Sequence, residues 1–257
     1  MPFTPSHVAA VLPLISSARI RRFLDPWALA LGTMVPDLPI FFSFLPDYGI
    51  WHSLRGVVTL DLFAVVVLLA VFHGLLRDPL TALLPASLAG KAASLAPEGY
   101  GLRRLPAVVA GGVLGSLTHL LWDSFTHSYS LEVWGWAWLA APVVGPLPVF
   151  RVLQYVSTVV GLAAVLWWSR RGLSRMEPVA LPERLALPVL VRRGVILATM
   201  IATLMGAAAW PRIYPPSSRA ELITRLGAGM VVGFCALLIA YAVMWQLRRV
   251  MAVFQGA

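Results

Sequence analysis

Residues 114–130 read LGSLTHLLWDSFTHSYS, from Leu114 to Ser130. An almost wholly apolar run here suddenly carries Thr118, His119, Trp122, Asp123, Ser124, Thr126 and His127. His119, Asp123 and His127 stand at i, i+4 and i+8, so on an α-helix all three project from one side within roughly 80°. The flanking residues are those of a membrane span, where each ionisable group costs roughly a few kcal/mol unless it meets a partner. The stretch therefore predicts a transmembrane helix whose His-Asp-His ladder calls for a cation, a metal ion being the simplest. The plainer alternative is that His119 and Asp123 are a hydrogen-bonded pair gluing two helices together. His127 is then either a third ligand or an interfacial histidine facing water.

Composition places the rest of the chain in the same setting. Of 257 residues, 59% are hydrophobic and 12% charged, too apolar for an ordinary soluble domain. The net charge of +9 does not argue for nucleic acid, because every basic residue except Lys91 is an arginine set in short clusters between apolar runs. That is the pattern of loops held against anionic lipid headgroups. Cys235 is the only cysteine, which excludes an internal disulfide or a thiolate cluster. Arg19, Arg21 and Arg22 follow the first apolar stretch instead of preceding it, so a retained N-terminus is expected instead of a cleaved signal peptide.

The expected fold is an all-α, polytopic membrane protein with about six membrane segments, some broken or re-entrant. Pro5 to Ile20 reads as a short helix, with Thr4 or Ser6 as N-cap. Trp27 to Leu45 is interrupted by Pro36-Asp37-Leu38-Pro39, and broken helix at membrane depth is tolerated only where protein or water satisfies the backbone. Asp37 is thus placed at a polar cavity, as a metal ligand or as a cap for freed backbone groups. Val57 to Leu76 and Leu105 to Phe125 read as full spans, separated by a loop from Arg77 to Arg104 with an interfacial helix near Leu80 to Leu95. Gly111, Gly112, Gly115 and Ser116 form a small-residue face open to close helix approach, as do Gly229 and Gly233. Trp134, Trp136 and Trp138 are expected at headgroup level. In domain terms, 1–170 should carry the polar site, 171–193 a cytoplasmic loop, and 194–257 two additional transmembrane helices.

Counting basic residues on alternate sides puts fifteen on one face and five on the other, and the richer face is cytoplasmic. His52, Asp61, His119, Asp123 and His127 then share the outer half of the membrane. His7 joins them if the first helix runs inward, and Asp37 lies within reach. His7 and His52, taken singly, are equally readable as solvated histidines. Asp61 is expected to orient a liganding histidine, and Arg55 to pair with Asp61 or to bind a substrate anion. His73 is read as a packing residue. No phosphate loop, G-x-S-x-G elbow or H-E-x-x-H pair is present.

MPFTPSH at the start, VPDLP at 35–39, His52-Ser53, Asp61 and THLLWDSFTH at 118–127 together resemble the bacterial integral membrane family catalogued as domain of unknown function 4184. The resemblance covers roughly residues 1–170 and implies the fold more than the chemistry. More distantly, the order of an early His, a Pro-Asp, a His-Ser and a late H-x-x-x-D is similar to that of bacterial inner-membrane metal-dependent hydrolases. Through them it is similar to the zinc-dependent phospholipase C proteins. Carried over residue by residue, this similarity implies His7, Asp37, His52, His119 and Asp123 as metal ligands, the set that depth also brings together. Those hydrolases usually have a second acid after the Pro-Asp, where Leu38-Pro39 stands here, which counts against a binuclear site.

The resulting expectation is a hydrolase of the bacterial inner membrane, with a divalent metal, zinc foremost. It would act on a phosphoester or ester of a lipid-linked or periplasmic substrate, with His127 and Asp61 handling protons. The alternative is a non-enzymatic carrier or scaffold in which the same groups form an ion or proton relay or lock helix packing.

Overall fold

A computed structural model describes residues 3–95, 100–177 and 180–255. Its chemistry begins at a short helix, α1 (Pro26–Gly32), whose start is dictated locally. Asp25 stands at the N-cap and its Oδ1 accepts from the backbone N–H groups of Trp27 at 3.0 Å and Ala28 at 2.9 Å, with Pro26 at the first helical position. Five longer helices are apolar enough to cross a membrane: α2 (Leu54–Leu83), α3 (Leu102–Thr126), α4 (Val149–Arg175), α5 (Val189–Ile213) and α6 (Glu221–Met251). Among the described residues the only sheet is the small antiparallel hairpin β1 (Pro142–Val144) and β2 (Leu147–Pro148). The protein is an all-α membrane protein. Thr4–Val11 and α1 are the short N-terminal pieces that fall below spanning length.

The chain divides into two compact units. The first comprises Met1–Leu38, Pro46–Leu69 and Gly99–Arg175. Within it α1 lies directly on α3, backbone against backbone. A Cβ at Gly111 would stand 2.8 Å from the Asp25 carbonyl oxygen, and one at Gly32 or Gly115 would run into the Gly112 or Leu29 carbonyl. The Ser116 hydroxyl donates to the Gly32 carbonyl across the same seam at 3.2 Å. Thr4–Val11 is a 3-10 helix against α4, and Gly161 is what allows it: a Cβ there would meet Ser6 at 2.8 Å. Neither Thr4 nor Ser6 caps this segment. Thr4 is drawn away by a buried carboxylate, described below, and the Ser6 hydroxyl turns back to the Phe3 carbonyl at 2.6 Å.

The second unit comprises Pro39–Leu45, Ala70–Glu98 and Met176–Ala257. Here α5 and α6 pack through glycines, since a Cβ at Gly206 would enter the Gly229 carbonyl and one at Gly233 the Ala202 carbonyl. The helix that the small-residue face of Gly229 and Gly233 receives is thus α5.

One boundary differs from expectation for a physical reason. The stretch from Arg77 onward, expected to be a loop with an interfacial helix near Leu80 to Leu95, continues α2 as helix to Leu83, and a separate helix, Ala86–Ser94, follows within the expected interval. Pro79 should break such a helix, because it has no N–H to offer the carbonyl of Leu75. Gln246 of α6 supplies the missing donor, its side-chain amide reaching the Leu75 carbonyl at 3.2 Å, and the Tyr241 hydroxyl donates to the Pro79 carbonyl at 3.3 Å. Gln246→Leu is expected to cost about 1 kcal/mol, read as a lowered thermal unfolding midpoint in detergent. An unchanged midpoint would mean that Leu75 is satisfied otherwise. Helix α4 runs to Arg175, a 3-10 turn covers Glu183–Leu185, and α5 begins at Val189.

Candidate metal centre

Each side chain of the centre is placed by a local device. His119 and Asp123 are one turn apart on the glycine-bearing face of α3, so the close approach of α1 puts the Thr33 carbonyl 2.8 Å from His119 Nδ1. His52 ends a turn, Tyr48–Trp51, capped by the Asp47 carboxylate at Gly49 N (2.8 Å), and its Nδ1 lies 3.1 Å from the Tyr48 carbonyl. His127 follows the last residue of α3, with Nδ1 at 3.0 Å from the Asp123 carbonyl. A carbonyl only accepts, so in all three rings Nδ1 carries a proton, which in the neutral ring leaves the lone pair on Nε2.

All of these lone pairs face two buried carboxylates. His119 Nε2 is 3.4 Å from Asp37 Oδ1 and 3.3 Å from Asp123 Oδ2; His52 Nε2 is 3.6 and 3.7 Å from the same two atoms. The two Nε2 atoms stand 3.2 Å apart. His127 Nε2 lies 3.6 Å from Asp123 Oδ2, and His7 Nε2 lies 3.5 Å from Asp123 Oδ1, its ring stacked on His119 with centroids 4.0 Å apart. The Thr4 hydroxyl donates to Asp37 Oδ2 at 2.7 Å, which turns Oδ1 inward.

These separations bear on the two readings of the ladder. Hydrogen bonds to carboxylates fall at roughly 2.7 to 3.2 Å, shorter than every imidazole–carboxylate distance here. Two imidazole lone pairs face to face repel unless something positive lies between them. Four ligands at zinc-like bond lengths of about 2.0 to 2.1 Å sit about 3.3 Å from each other at the corners of a tetrahedron. Ligand atoms from Asp37, His52, His119 and Asp123 all lie within 4.8 Å of one another, and the group could hold a metal ion. Asp37 Oδ1, both Asp123 oxygens, both His7 nitrogens and His127 Nε2 are buried without a hydrogen-bond partner. A centre built only to glue helices would have paired them. With neutral imidazoles the two carboxylates carry a charge that one divalent cation balances. Asp37, His119 and Asp123 are all 0% exposed, so leaving that charge uncompensated would be expensive.

The surroundings contain residues not singled out as site residues in the sequence. Tyr48 stacks on His52 with centroids 3.7 Å apart, and Tyr129 stacks on His127 at 5.3 Å. Burial, then the Asp123 and Asp37 carboxylates, push the Tyr129 phenol above its usual range, so it keeps its proton. Burial lowers the His127 imidazole, against the opposing pull of the Asp123 carboxylate. Tyr48 stands four residues before His52, a spacing that could have been noticed; Thr4 and Tyr129 carry no such signal. Asp61 is fully buried and neither oxygen accepts a hydrogen bond. The His119 and His52 rings are oriented by the Thr33 and Tyr48 carbonyls, and Asp61 acts on them only through space. Arg55 is exposed. A cavity of about 200 Å³ opens beside His7, lined by Ser6, Trp122, Ser157, Val160 and Gly161. Trp122 and Val160 are exposed on the apolar faces of α3 and α4, so its mouth lies between two candidate spans.

Fold and site together define a helical membrane protein with a buried His/Asp centre able to hold a metal ion. The chain belongs to the family described as Domain of unknown function (DUF4184), whose model matches residues 1–243, further along the chain than the motifs near its start. No curated protein and no solved structure matches it.

Proposed function

We propose that this protein is a membrane-embedded, metal-dependent hydrolase acting on a phosphoester or ester at the outer face of the bacterial inner membrane. The observation that carries the reading is the set of four converging ligand atoms, two of them imidazole lone pairs whose Nδ1 protons are committed to backbone carbonyls. An N₂O₂ donor set suits zinc, which Asp37, His52, His119 and Asp123 would hold. His7, on the other oxygen of Asp123, completes the set at the side where the cavity opens. When bound, such an ion supplies Lewis acidity and acidifies water.

The protein's own groups do the rest. His127 holds an unpaired Nε2 at the edge of the centre and is the residue to accept and return a proton. Asp61, fully buried, adds negative charge on the side of His52 and His119 and acts on the centre from a distance. The protonated phenol of Tyr129 is a donor for a developing oxyanion. The cavity beside His7 opens between α3 and α4, which supports a substrate approaching from the bilayer with its apolar part there, as a lipid-linked phosphoester would.

The reading is tested by metal analysis of the purified protein, followed by hydrolysis of bis(p-nitrophenyl) phosphate and p-nitrophenyl esters. About one zinc per chain is expected, with activity lost on chelation and restored by zinc. His127→Gln should keep the metal yet lose activity by about 100-fold or more. Purified protein with neither stoichiometric metal nor metal-restored turnover removes the proposal.

A further inference from the structure

The second unit holds a different constellation. Leu80 of α2 and Leu84 just beyond its end, Ile196, Met200 and Thr203 of α5, and Phe234 of α6 line an apolar groove of about 620 Å³. Its threonines contribute no polarity, because the Thr199 hydroxyl donates to the Val195 carbonyl at 2.8 Å and the Thr203 hydroxyl to the Thr199 carbonyl at 2.7 Å. The wall is hydrocarbon throughout.

One end of the groove is strongly basic. Arg192, one turn before Ile196, reaches the carbonyl of the groove residue Leu84 at 3.5 Å. Two residues before Leu80, Asp78 is faced by three guanidinium groups: Arg77 at 3.3 Å, Arg249 at 3.5 Å and Arg184 at 4.0 Å. Among the described residues no second carboxylate pairs with these three arginines, so one negative charge confronts three positive ones. Arg184 and Arg249 remain 59% and 48% exposed, accessible to an anion from outside.

A free phosphate would satisfy the arginines and leave the groove to chance, and a neutral alkyl chain would do the reverse. We infer that groove and cluster together form a binding site for an anionic phospholipid. Its acyl chain lies against the Ile196, Met200 and Thr203 face, and its phosphate sits on Arg184, Arg192 and Arg249.

The test is retention of phosphatidylglycerol against phosphatidylcholine of identical acyl chains by the full-length protein in detergent, read by native mass spectrometry. Phosphatidylglycerol should be retained about ten-fold more strongly. The double variant Arg184→Gln, Arg249→Gln keeps Asp78 paired with Arg77 and should erase that preference. Met200→Trp, which fills the groove, should lower retention of both lipids; Thr203→Trp serves the same purpose if the first variant loses helical content by circular dichroism. Excess glycerol 3-phosphate should not displace the lipid. Equal retention of the two lipids, a preference that survives loss of both arginines, or displacement by glycerol 3-phosphate each overturns the inference.

Discussion

Asp123→Ala is expected to empty the centre, lowering bound metal from about one ion per chain to under about a tenth. Among the described residues, this carboxylate faces all four histidines of the centre: Oδ1 stands against His7, and Oδ2 against His52, His119 and His127, at 3.3 to 3.7 Å. Removing it leaves Asp37 as the only carboxylate in the four-residue set and halves the negative charge that holds a divalent ion. Because a metal that binds only the folded chain stabilises it by mass action, chelation should lower the unfolding midpoint of the wild type, by the equivalent of about 2.7 kcal/mol at a hundred-fold excess over Kd. The same chelator should leave Asp123→Ala unmoved. Elemental analysis and thermal unfolding with and without chelator check both halves. A variant that retains its full metal load would show that Asp123 is no ligand.

Gly115→Leu should have the next largest effect, though it touches no ligand. A side chain at 115 enters the Leu29 carbonyl and the Gly32–Thr33 backbone, so α1 must leave α3. Overpacking of this kind costs about 1 to 3 kcal/mol. The larger consequence is at the centre, because α1 leads into the Thr33 carbonyl that sets the His119 tautomer and into Asp37 beyond it. Metal content should therefore fall together with stability. Gly172→Leu on α4 is the matched control, since a Cβ there meets nothing within 4 Å. Equal losses in the two variants would mean that α1 does not hold the centre in place.

The nearness of His119, Asp123 and His127 is legible in the sequence alone, because residues four apart share a helix face whatever surrounds them. The apolar runs are legible for a similar reason: a span is defined by composition over its own length. Motif resemblance and shared depth single out His7, Asp37 and His52, and all three stand at the centre.

Other features rest on contacts between distant segments. Whether α2 survives Pro79 depends on a donor from Gln246, far along the chain. The partner of the Gly229 and Gly233 face is a helix that no spacing names. Which nitrogen His119 turns inward depends on the Thr33 carbonyl, and which oxygen Asp37 offers depends on Thr4, whereas His52 and His127 are set by carbonyls only four residues away. Local periodicity therefore determined the helices and the residue types available for chemistry. The tertiary structure alone decided the direction of the His119 lone pair, the inward oxygen of Asp37 and the distances among the ligand atoms, because all three are set by groups brought together only when distant segments pack.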